Sequence, residues 1–293
     1  MSQPRQVLPR QFYMLTRRCV QRMFLLRPDE ATNNAFFYCL ALASIRFGID
    51  VLFTLAESNH HHTIIFDRHG HMSAFLEHFH KLVARSQNAL RGRWENFWAA
   101  QEPCVTRLLD RDAVIEKLIY AASNPVKDRL VERVHQWPGV NTWSAFIYRR
   151  AITATRPRHF FRSSMPAQVT LDLVIPSELG DPDEVIREVR EGVEAIEAQV
   201  RTERMANGGT VIGRRRLLAQ SWKDCPTSFE RRRELRPRFA GGPHVRIPAL
   251  ASYRSFLWAY KHARDRWRRG LEAVFPAGTY WLTRFAHVQV TPT

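Results

Sequence analysis

The chain runs to 293 residues, 45% of them hydrophobic, with 44 Lys and Arg against 28 Asp and Glu, a formal charge of +16. That supports a packed core in one large domain or two modest ones, and the basic excess is a common signature of a nucleic-acid partner. No apolar run approaches the ~18 residues of a membrane span, Met1-Ser-Gln-Pro-Arg5 lacks the apolar core of a signal peptide, and Cys19, Cys39, Cys104 and Cys225 have no metal-type spacing. A reduced, cytoplasmic protein without a membrane partner is the expectation.

Phe12 to Arg18 reads as an opening strand. Asn33 to Gly48 follows as a helix with Phe36, Phe37, Leu40, Ala43 and Ile45 turned inward and Gly48 stopping it. Asp50 to Ser58 looks like a buried strand and Thr63 to Asp67 like a second, with Asn59-His60-His61-His62 between them. Side chains two apart on a strand share a face. His60 and His62 can therefore present two imidazoles together, while His61 points to the packed side. Ser73 to Leu90 is a second helix, striped by Phe75, Phe79, Leu82 and Val83. A third begins at an Asp110 or Asp112 cap and carries Val114, Ile115, Leu118 and Ile119 at helical spacing. Tyr120 and Asn124 stand four apart on it and share a face. Two helices on one face of an antiparallel sheet predict an α+β, ferredoxin-like plate.

Beyond about residue 145 the character changes. Val169 to Ile175 alternates as a strand, and Asp181-Pro182 starts a helix whose Ile186, Val189, Val193, Ile196 and Val200 form a short seam. That seam spans barely two heptads and suits packing on the protein's own body better than dimerisation. Residues 178–203 hold nine acids and three bases, whereas residues 204–284 hold eighteen bases and five acids. The basic stretch includes Arg214, Arg215 and Arg216, then Arg231, Arg232 and Arg233. Arg264, Arg266, Arg268 and Arg269 follow on a helix whose other side carries Leu250, Tyr253, Leu257, Tyr260 and Trp267. Any one cluster reads as a solvated face; three together point to phosphate contact. A basic tail folded back on the acidic helix in the absence of DNA is a further expectation.

A strand ending in Asn59-His-x-His62, followed by a helix carrying Tyr120-x-x-x-Asn124-Pro-Val126, resembles the REP-associated tyrosine transposases. These belong to the single-tyrosine HUH transposases and single-strand DNA nucleases. Phe12-Tyr-Met-Leu-Thr-Arg-Arg18, Arg22-Met-Phe-Leu-Leu-Arg-Pro28, Asn88, Trp94, Trp98 and Trp137-Pro-Gly139 fall in the same order as in that family. Phe275 to Phe285 is similar to the C-terminal signature of a long-tailed branch. The chain departs from the family at His61, normally apolar, at Glu57-Ser58 before the histidine motif, and at Ala121-Ala-Ser123. Glu57 is thereby open to a role as an extra ligand.

The resemblance implies an HUH-type plate at residues 1–145 and a mainly helical, basic accessory region at 146–293. It implies Mg²⁺ or Mn²⁺ on His60 and His62, with Tyr120 as nucleophile and Asn124 in the place of a third ligand. Tyrosine has a pKa of ~10, so its hydroxyl attacks well only when close to a polarised phosphate and relieved of its proton. Attack leaves a 5′-phosphotyrosine and a 3′-OH, and the stored phosphodiester energy lets strands rejoin without ATP. Asn124 reads equally as the cap of a helix starting at Pro125, and Tyr120 taken alone reads as an ordinary interface tyrosine. The partner implied is single-stranded DNA bearing REP-like hairpins, bound by a monomer or homodimer. Arg17, Arg18, Arg91, Arg93, Lys127 and the Arg214–Arg216 and Arg231–Arg233 clusters are the expected DNA contacts. A water-using metal nuclease and a domesticated DNA-binding protein are the rival readings. His69, His71, His78 and His80 read as surface residues, and Asn207-Gly-Gly-Thr210 lacks the Gly-Lys-Ser/Thr of a P-loop.

Overall fold

The computed structural model describes residues 4–229 and 238–292. In chain order the elements are β1 (Gln11–Arg18), α1 (Glu30–Phe47), β2 (Ile49–Glu57), β3 (His60–Asp67), α2 (Met72–Arg91), β4 (Cys104–Leu108), α3 (Arg111–Lys127), α4 (Trp143–Ile147), β5 (Ile152–Thr155), β6 (Gln168–Leu171), α5 (Pro182–Ala206), α6 (Arg214–Ala219), β7 (Phe239–Ala240), α7 (Pro243–Arg268), β8 (Val274–Phe275), α8 (Trp281–Ala286) and β9 (Gln289–Val290). Five strands form one sheet in the order β2-β3-β1-β4-β7, antiparallel except for the β4–β7 pair. The fold is α+β, as the sequence predicts, with the histidine strand β3 interior to the sheet.

Alternation along the strands builds two cores. Tyr13, Leu15 and Ile65 face α1 and α2, where Phe36, Phe75 and Phe79 are fully buried. Met14, Ile64 and Phe66 face the other way, under α3 and α5. Asp29 caps α1 by accepting from the Thr32 N–H at 2.8 Å, and Gly48 ends it at φ 62°, a conformation that costs glycine little. Ile45 departs from its expected inward position and is 67% exposed, because it falls off the Phe36–Leu40–Ala43 stripe.

One irregularity in β2 decides what reaches the site. Register shifts between Val51, opposite Ile65, and Phe53, opposite Ile64. A β-bulge of this kind inserts one residue, and a one-residue slip sends every later side chain to the other face. Leu55 and Glu57 therefore lie opposite His62 and His60, on the α3 side of the sheet.

The chain past residue 145 packs onto the plate at several places. The β5–β6 hairpin lies on α1, β7 extends the sheet beyond β4, and α5 lies along α3. Ile186, Val189 and Val193 of the α5 seam are buried there. The acidic helix is held by Arg111, which donates twice to Glu188 at 2.7 and 2.8 Å, and by Glu197, which accepts the Val134 N–H. A Cβ on Gly192 would stand 2.3 Å from the Ile119 Cδ1, so the glycine is what permits this close approach of α5 to α3. Among the described residues, the acidic helix thus docks along α3.

Candidate active site on the His60–His62 strand

β3 delivers His60 and His62 to one face and His61 to the other, as the two-residue repeat requires. The rings of His60 and His62 meet edge-on with centroids 4.9 Å apart. Each ring is oriented through Nδ1. His60 Nδ1 lies 2.8 Å from the Asn59 Oδ1, and His62 Nδ1 lies 2.8 Å from the Thr16 hydroxyl, which the β1–β3 register sets directly opposite. An imidazole that donates from Nδ1 keeps its lone pair on Nε2, the arrangement found at metal-binding histidines. Burial, then the Arg18 charge, lowers the His60 pKa to about 4, and burial holds His62 well below its ordinary value. Both rings are neutral at pH 7.

Helix α3 supplies the opposite wall. Asp110 caps it by accepting the Ala113 N–H at 2.8 Å, and the helix runs on through Pro125. The alternative of Asn124 as the cap of a new helix is corrected here, because Asn124 lies inside α3. Its Nδ2 stands 3.1 Å from the Glu57 Oε1, to which it donates, and 3.1 Å from the His60 Nε2. One turn back, Tyr120 packs on His62 with ring centroids 5.4 Å apart and is 40% exposed. The Lys127 and Lys117 ammonium groups lie 4.8 and 5.8 Å from the tyrosine ring centre. Two cations thus sit around an accessible phenol.

Glu57 takes a supporting position. It approaches His60 from the Nδ1 side, at 3.7 Å, while its other oxygen holds the Asn124 amide. Burial, reinforced by the nearby Asp128 charge, pushes its carboxyl well above the usual range.

The donor set fits a divalent cation in part. His62 Nε2 is buried without a hydrogen-bond partner in the structure, an orphan that a metal would satisfy. His60 Nε2 and Asn124 complete an imidazole–imidazole–amide group, with Asn124 offering Oδ1 once its amide is turned over. Among the described residues, no cluster of three His, Cys, Asp or Glu side chains is arranged to hold a metal, so any site here depends on the Asn124 amide.

The other side of β3 carries a second polar group. His61 Nε2 lies 2.9 Å from the His80 Nε2, and His80 Nδ1 lies 2.9 Å from the Arg17 guanidinium, beneath the Trp98 ring. His80 is therefore buried and structural, contrary to the surface position expected of it. Its helical neighbours Leu76 and Phe79 turn it into the α1–α2 core.

Several expected DNA contacts also turn inward. Arg17 serves His80. Arg91 donates to the Leu25 carbonyl and the Thr32 hydroxyl, and Arg93 to the Asn96 carbonyl, both beside Trp222. Arg18 stands opposite His60 on the site face, and Lys127 stands over Tyr120. Arg214, Arg215 and Arg216 are exposed in the first turn of α6. Arg231, Arg232 and Arg233 lie outside the described residues. No described helix is long and apolar enough to cross a membrane.

No protein family and no curated protein matches the sequence. The chain is similar to a solved structure described as "Structure of the REP associates tyrosine transposase bound to a REP hairpin". It shares 15% identity with it at a TM-score of 0.43, over 61% of this chain and 96% of that one.

Proposed function

We propose that the chain nicks and rejoins single-stranded DNA through Tyr120, in the manner of a single-tyrosine transposase. The observation that carries this reading is the contact between the Tyr120 ring and His62, whose buried Nε2 has no hydrogen-bond partner. An accessible phenol beside a buried imidazole with an unsatisfied nitrogen suits attack on a bound phosphate better than it suits packing.

In the proposed step the Tyr120 Oη attacks phosphorus and the bond from phosphorus to the 3′ oxygen breaks. The phenol loses its proton, the departing 3′ oxygen gains one, and the 5′ phosphate stays on the tyrosine. Reversal by another 3′-OH rejoins strands with no external energy source. Lys117 and Lys127 stabilise negative charge on the phenol oxygen and on the phosphotyrosine. Asn59 and Thr16 orient His60 and His62, and Glu57 holds Asn124. A divalent metal held by His60, His62 and Asn124 would polarise the phosphate as a Lewis acid. REP-like hairpins are the proposed DNA partner.

The test is a labelled single strand that stays on the protein through denaturation. Tyr120→Phe removes only a hydroxyl, so folding and affinity should stay near the parent's while the adduct disappears. A surviving adduct excludes Tyr120. Cleavage without any adduct in the parent protein assigns the chemistry to water instead.

A further inference from the structure

A cleft of ≈ 640 Å³ opens where the N-terminal segment meets the C-terminal elements. Arg5, Arg238 and Arg264 line it together with Tyr260, Tyr280 and Trp281. The two chain ends are joined there by backbone: Val7 N–H donates to the Gly278 carbonyl, and Gln6 bridges Thr279. Among the described residues that line it, Glu102 is the one acid beside three guanidinium groups.

One of these cations is held at a cost. Burial lowers the Arg5 pKa against partial relief from Glu102, and the Arg238 charge adds to the lowering. Arg264 Nε is buried without a hydrogen-bond partner in the structure. A buried guanidinium clustered with two others favours an anion with several acceptor oxygens. Aromatic rings on the same wall suit a flat, π-faced group, and Trp281 keeps 39% of its surface exposed. The volume lies within the range of small-ligand sites.

We propose that this cleft seats a nucleotide of single-stranded DNA, its phosphate on the arginines and its base against the aromatic rings. Its position favours a strand shared with the Tyr120 site. Pro103 and Glu102 lead into β4, whose Cys104 pairs with Thr16, and Thr16 pairs on its other side with His62. The cleft's β4 wall and the histidine pair thus lie at one end of the sheet, two strand spacings or roughly 10 Å apart. The proposal rests on the DNA reading for the identity of the polymer, and it does not depend on Tyr120 being a nucleophile.

The test uses the full chain carrying Tyr120→Phe, so that binding is read without covalent capture, and a fluorescent oligothymidylate of about ten nucleotides. Trp281→Ala should weaken binding roughly five- to hundredfold, the range for one lost base stack. Arg264→Glu should weaken it at least as much, and Arg46→Glu, the same charge change on exposed surface of α1, should act far less. A response to Arg264→Glu no larger than that to Arg46→Glu overturns the proposal, as does a Trp281→Ala chain that binds like the parent. Should either variant fold poorly, photocrosslinking of the otherwise unaltered chain to iodouracil-containing DNA decides. Adducts on Tyr260, Tyr280 or Trp281 support the cleft, and adducts only elsewhere overturn it. Failure of the nicking reading shows separately, as a missing covalent adduct in the parent chain.

Discussion

The three consecutive histidines divide between two roles, set by which face of β3 each meets. His60 and His62 present Nε2 toward α3, so His60→Ala or His62→Ala should abolish Mg²⁺- or Mn²⁺-dependent cleavage while leaving the fold intact. Full cleavage in chelator would remove the metal from the reaction. His61 is wholly buried against Phe36, Phe79 and Trp98. His61→Ala should therefore lower stability, on the order of 3 kcal/mol from lost packing and an orphaned His80, while retaining some cleavage. A variant as stable as the parent would contradict that packing role. The buried imidazoles also set a pH response. Burial holds His60 near 4 and His61 near 3, with His62 and His80 displaced in the same direction. Between those values and the ordinary histidine range near 6.5, the unfolded chain binds protons that the folded chain does not. Stability is therefore fully present above about pH 6.5 and falls as pH drops toward 4. Thermal unfolding across that window is the check, and a flat profile from pH 7 to 5 would contradict it.

At the scale of elements, the contact between α3 and α5 makes its own prediction. Gly192→Val would drive a side chain into Ile119, and overpacking of this kind costs about 1–3 kcal/mol. Adding Ile119→Ala should return part of that loss, because the two positions share one space. Purely additive losses in the double variant would mean that the helices part instead. The elements themselves were legible because their periods are clean: α2 spans Met72–Arg91 where the apolar stripe predicts Ser73 to Leu90. The site was legible only in part. The His60–His62 pair follows from strand alternation alone, and Tyr120 with Asn124 from helical spacing. The bulge between Val51 and Phe53 left no mark, since Ile49, Val51, Phe53 and Leu55 keep the alternation of a regular strand straight through it. Glu57 was legible as a candidate ligand from its place before the histidine motif, but the register shift that turns it to the α3 face was not. Helix α3 continuing past Pro125 was hidden as well. Local preference favours a stop there, and burial of Ala121, Ala122 and Val126 against the sheet overrides it. The inward arginines 17, 91 and 93 share one cause: each finds a carbonyl, hydroxyl or imidazole acceptor that only the folded chain brings near.

Across the whole molecule the charge is unevenly held. The acids of α5 are partly neutralised within the fold, through Arg111–Glu188 and Arg149–Asp183. The exposed arginines at the start of α6 have no such partner acid on their own helix, whose sequence is Arg-Arg-Arg-Leu-Leu-Ala. Leu217 behind them is buried in the core under α3, so their backbone is fixed on the plate rather than carried on a loose tail. On the proposed DNA reading, cations placed this way would contact backbone without reading sequence, and each phosphate contact would contribute a slope of roughly 0.7 to 0.9 to the log–log dependence of affinity on salt. Reversing Arg214, Arg215 and Arg216 to Glu should therefore weaken binding of every DNA sequence alike and flatten that slope by up to about 2 to 3. Affinity measured against salt for a hairpin and for an unstructured strand decides the matter. An unchanged slope would take α6 off the DNA-binding surface, and a loss confined to the hairpin would make it a reader of DNA shape instead.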